Sequence, residues 1–156
     1  MRHVICFFVI LFFSSAGYLP AQENADLMKR IISEIYNDQN FEVMDELVAS
    51  DYVEYTNGIR TETPAAIKET IFWLIKVAPD FKITIEDIIS EKEKVVIRWM
   101  YAGTNQRVGK EISLEGVFIG LFEDGKLKTG WQYFDNLSRF KQLGYVLVPP
   151  AELQEK

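Results

Sequence analysis

The chain has 156 residues, a formal charge of −6 at pH 7 and no basic cluster, which argues against a surface built for nucleic acid or an anionic membrane. Its one histidine and one cysteine are His3 and Cys6. Residues 22–156 therefore offer no disulfide, thiol nucleophile, imidazole base or Cys/His zinc site, and acid–base work there falls to Asp, Glu, Tyr, Lys or water.

Met1-Arg-His3 is a short basic start, Val4 to Phe13 an almost unbroken apolar run, and small residues follow as far as Ala21-Gln22. This layout predicts a signal peptide over 1–21 and an exported, periplasmic or extracellular, protein of one domain over 22–156. The apolar run is shorter than the ~20 residues that span a bilayer, so no membrane association is expected after cleavage.

From Asp26 to Asn37 apolar residues recur at helical spacing, with Asn24 as the expected cap. Phe41, Met44, Leu47 and Val48 predict a second, shorter helix. Asp51 to Thr56 reads as a strand closed by the turn pair Asn57-Gly58. Thr63-Pro64 opens a helix that Pro79 stops. The period then changes to two at Phe81, Ile83 and Ile85, and slips at Asp87-Ile-Ile89, which predicts a bulge. Val95 to Ala102 is a strand with Val95, Ile97, Trp99 and Tyr101 on one face. Glu111 to Phe122 is a long strand, and Asp124-Gly125 turns it into another that carries Thr129, Trp131, Tyr133 and Asp135 on one face. A last helix, Leu137 to Leu143, ends at Gly144. Helices first and an antiparallel meander last predict an α+β layer fold.

Four stretches carry a family resemblance: Ile35-Tyr-Asn-Asp-Gln-Asn-Phe41 with Met44-Asp-Glu-Leu47; Asp51-Tyr-Val-Glu54; Arg98-Trp99 with Gly103-Thr104; and Glu123-Asp-Gly-Lys-Leu127 through Trp131, Asp135 and Gln142-Leu-Gly144. Together they span most of residues 26–144. In order and spacing they resemble the SnoaL-like polyketide cyclases, or ester cyclases, of the nuclear transport factor two-like superfamily. The resemblance implies a cone-shaped α+β barrel, N-terminal helices on a strongly bent, mainly antiparallel sheet, with an apolar pocket and often a homodimer. It implies no metal and no organic cofactor. It also implies an aspartate acid/base for aldol-type closure, at the matching position Asp135. Where relatives carry histidine, this chain has Gly130, Asn105 and Tyr55.

Acid/base work by Asp135 requires an apolar wall and a donor for the enolate oxygen, which Trp131 and Tyr133 on its own face would supply. Tyr52, Tyr55, Trp73, Trp99 and Tyr101 are the further candidates for a cavity that takes a small apolar or aromatic molecule. Glu115 is a second carboxylate candidate if its strand turns that face inward. The competing expectation is a non-catalytic ligand-binding or dimerising module, in which Asp135 only begins the last helix.

Overall fold

The computed structural model describes residues 19–61 and 64–148. Most of the expected leader, the expected cap Thr63 and the tail after Val148 lie outside these residues. Helix α1 (Leu19–Arg30) runs directly into a π-helical stretch, Ile31–Asn37. The helix thus begins earlier than the apolar stripe suggests. Asn24, expected as its cap, lies inside it, and its buried amide donates to the Lys92 carbonyl at 3.1 Å.

A 3₁₀ turn (Phe41–Val43) leads into α2 (Met44–Leu47). Strands β1 (Val48–Thr56) and β2 (Ile59–Thr61) form a hairpin over Asn57-Gly58, whose φ angles of 48° and 83° suit a type I′ turn. Helix α3 (Ala65–Val77) ends where the Ala78 N–H meets the Leu74 carbonyl, just before Pro79. Strands β3 (Lys82–Glu91), β4 (Lys94–Asn105), β5 (Lys110–Glu123) and β6 (Lys126–Phe134) are the expected meander. Its last turn again has two positive φ angles, 49° at Asp124 and 73° at Gly125. Helix α4 (Asn136–Gln142) closes the described chain.

The six strands form one sheet in the order β2-β1-β6-β5-β4-β3. The β1–β6 pairing is parallel and the others are antiparallel. The fold is α+β, with the helices packed on the sheet. The sheet is not closed, and β2 and β3 are its edges. Register shifts fall between Ile85 and Asp87, as the slip in periodicity predicts, and also along β1 and between Leu121 and Phe122. The shift at Leu121/Phe122 decides which β6 side chains face inward. Leu127 before it and Gly130, Gln132 and Phe134 beyond it share the helix-covered face, while Thr129, Trp131 and Tyr133 share the other.

Val95, Ile97, Trp99 and Tyr101 of β4 are all buried on the inner face, against a core that includes Ile31, Ile35 and Ile71. Each such aliphatic side chain contributes about 1.5–3 kcal/mol relative to exposure. The helical layer is fixed to edge strand β3 by Asn37. Its amide donates to the Ile83 carbonyl and accepts from the Ile83 N–H, both at 2.9 Å, and so imitates a neighbouring strand. Asn37→Ala should cost about 1–3 kcal/mol, because two partly buried backbone groups lose their partner. A shift of the urea midpoint with the slope unchanged would show it; an unchanged midpoint would mean that water replaces the amide without cost.

Candidate functional site

A cavity of about 590 Å³ lies between the inner sheet face and the helices. Its wall is mostly aliphatic and aromatic, as small-molecule sites commonly are. Alternation along β1 turns Tyr52, Glu54 and Thr56 into it, and all three line the wall. They make a short ladder. The Tyr52 hydroxyl donates to Glu54 Oε2 at 2.7 Å, and the Thr56 hydroxyl donates to Glu54 Oε1 at 2.7 Å. One carboxylate is thereby fixed by two hydroxyls of its own strand, and it keeps lone pairs for a third partner.

The room for this ladder comes from β6. Gly130 lies opposite Glu54 in the parallel register. A Cβ there would collide with the Tyr52 hydroxyl and come within 2.7 Å of Phe118 Cζ. Gln132 and Phe134 continue the inner face into the cavity wall. Tyr36, near the end of the π-helical stretch, also lines the cavity. Such stretches recur at functional sites because the wider turn re-aims one side chain.

The phenols stay protonated. Burial pushes the Tyr36 hydroxyl far above its ordinary range, and the Glu54 charge adds to this. Burial does the same to Tyr52, followed by the charge of Glu54, the neighbouring Tyr36 and the hydrogen bond to Glu54. Tyr101 is raised by burial and then by Asp80. A buried acid with a raised pKa stabilises the fold below its unfolded value, near 10, and that contribution is lost as pH rises further. An absorbance titration at 295 nm should therefore leave Tyr36 and Tyr52 un-ionised at pH 11 until the protein unfolds. Ionisation of both at that pH in the folded protein would contradict this.

The family model described as "SnoaL-like polyketide cyclase" matches residues 26–143. The chain belongs to the SnoaL-like polyketide cyclase family. No curated protein sequence matches it. Among solved structures it is similar to AclR of Streptomyces galilaeus, at 20% identity and a TM-score of 0.72, over 86% of this chain and 93% of that one. A candidate SnoaL-like polyketide cyclase from Jannaschia is 16% identical with a TM-score of 0.73, over 84% and 96%. A candidate polyketide cyclase from Bacillus cereus is 24% identical with a TM-score of 0.72, over 81% and 84%. At these identities the likeness concerns the SnoaL-like fold alone.

Of the residues singled out in the sequence, Tyr52, Trp73, Trp99 and Tyr101 line the cavity of this SnoaL-like domain. Tyr55, Glu115, Trp131 and Tyr133 do not. They lie on the other face of the sheet, where Tyr55 stacks on Trp131 at 6.2 Å between ring centroids and Tyr133 is 50% exposed. The alternation along β6 is as expected, but the inner side is the opposite one, because Phe118 and Tyr52 already fill the space above Gly130. Asp135 is exposed and caps α4: its Oδ1 accepts from the Ser138 N–H at 3.0 Å. It is not a wall residue. Glu54 and Tyr36 were not singled out, although the spacing Tyr52-x-Glu54-x-Thr56 already puts a carboxylate between two hydroxyls on one strand face. Tyr36 was hidden in an apolar helical stripe that reads as plain core.

Proposed function

We propose that this SnoaL-like domain binds a small, largely apolar carbonyl compound in the cavity and moves a proton at the carbon beside the carbonyl, without a cofactor. The observation that carries this reading is the Glu54 carboxylate held by Tyr52 and Thr56 within an apolar wall. Glu54 takes the α-proton. The neutral phenol of Tyr36 donates to the oxygen on which charge develops. The enolate carbon then attacks a second carbonyl of the same molecule, and the alkoxide so formed takes the proton back from Glu54. If the new bond does not form, return of the proton to another carbon is an isomerisation. The role that the resemblance gave to Asp135 passes in this reading to Glu54.

The test is deuterium incorporation into 1-tetralone in D₂O, followed by NMR. Exchange above the rate in buffer, retained in Asp135→Asn and lost in Glu54→Gln, supports the reading. Loss in Asp135→Asn alone would return the role to Asp135. No exchange above buffer would favour the non-catalytic binding module.

Two further proposals concern the setting. The apolar leader supports export, with cleavage after Ala21; mass spectrometry of the mature N-terminus checks it, and an intact Met1 in the cell would refute it. The outer aromatic face, with Tyr55, Trp131 and the half-exposed Tyr133, supports a homodimer through this face. Sedimentation of Tyr133→Glu against the parent chain decides this, since an unchanged dimer, or a monomeric parent, removes the proposal.

A further inference from the structure

The charged residues on the cavity wall are Glu54, Arg107 and Arg139. A chain of net charge −6 thus encloses a cavity with one more cation than anion. Arg139 projects from α4. Its guanidinium lies 5.0 Å from the centroid of the Phe140 ring and 6.0 Å from that of Phe134, so two aromatic faces hold the plane in place. Its Nε is buried and has no hydrogen-bond partner among the described residues. The nearest acidic neighbour on its own helix, Asp135, spends its Oδ1 on the Ser138 N–H. A buried N–H of a guanidinium without a partner is costly, and a fixed guanidinium plane matches the two oxygens of a carboxylate.

Glu54 lies opposite Gly130, and Arg139 stacks near Phe134 on the same strand. Four residues of strand separate these levels, or about 13 Å. The two groups therefore approach β6 at different levels. We infer that the ligand of this site is an apolar, ring-bearing carbonyl compound that also carries a free carboxylate. The carboxylate docks on Arg139, and the reacting carbon lies at Glu54. This rests on the proposed reading of the cavity as a small-molecule site and adds the chemical class of its ligand.

Isothermal titration with 2-naphthylacetic acid and with 2-naphthylacetamide tests it at neutral pH and low salt. The two probes differ only in the charged end. The acid should bind at least about tenfold more tightly than the amide, the difference expected of a charge-assisted bond to a held arginine. Arg139→Met should remove that preference, and Arg139→Lys should keep part of it. Equal binding of the two probes to the parent protein overturns the inference while the cavity reading stands. So does a preference for the acid that survives in Arg139→Met but is lost in Arg107→Met. If neither probe binds, the small-molecule reading fails together with this one. The comparison of the two probes on the parent protein is decisive even if a variant folds poorly.

Discussion

Glu54→Gln should lower α-proton exchange by about 10²–10⁴-fold, the usual contribution of a positioned general base. The substitution keeps the shape of the side chain and removes its charge and basicity. The amide oxygen still accepts one hydroxyl, and the amide N–H₂ meets the other, which can rotate to receive it. The ladder from Tyr52 through residue 54 to Thr56 should therefore persist, and the midpoint of urea unfolding should move by no more than about 1 kcal/mol in equivalent stability. Removing the charge also removes the second cause of the raised Tyr36 hydroxyl and leaves burial, the first cause, in place. Exchange at the parental rate in a folded Glu54→Gln protein would remove Glu54 from the mechanism.

Gly130→Ala should be among the most damaging single-methyl changes in the sheet, with a loss of about 1–3 kcal/mol and a fall in melting temperature of several degrees. The reason is where the methyl lands. It meets the Tyr52 hydroxyl on one side and the Phe118 ring, at 2.7 Å, on the other, and neither is the free end of a flexible chain. Phe118 and Tyr52 are both buried. If Tyr52 gives way, its bond to Glu54 breaks, and exchange should fall along with stability. Gly125→Ala provides the contrast. Nothing lies within 4 Å of its Cβ, so its cost comes from the positive φ of 73° alone and should leave exchange unchanged. Equal melting temperatures for Gly130→Ala and the parent would mean that the strands part more easily than the packing suggests.

Features that depend on neighbouring residues could be read from the sequence. Asn57-Gly58 and Asp124-Gly125 announce their turns because both residues of each must take positive φ, which few pairs tolerate. The slip at Asp87 shows as a break in a period of two, and Gly144 ends the last helix with φ 88°. Alternation, however, has no sign: it divides β6 into two faces without saying which is covered. Two aromatics, Trp131 and Tyr133, on one face looked like a pocket wall, whereas the cavity needed the face with the glycine. That choice is made by Phe118 on β5, across the hairpin, and by Tyr52 on β1, which lies far from β6 in the sequence. The π-helical turn is hidden for a similar reason, since its apolar spacing passes for an ordinary helix until Tyr36 is seen beside Glu54.

The parallel pairing of β1 with β6 has a consequence for how the protein comes into being. It joins Val53–Thr56 to Thr129–Gln132, across most of the domain, while the strands between them pair with their sequence neighbours. Contacts of such long sequence separation form late, because loop closure must precede any gain from them. A chain that has made only its β3–β6 meander has Trp99, Phe118 and Gln132 in place, but no Tyr52 and no Glu54 beside them. Glu54 joins Gly130 and Phe118 only when this long-range pairing closes. A ligand that engages Glu54 would hold that closure shut, and would slow the opening of the sheet at its one parallel seam.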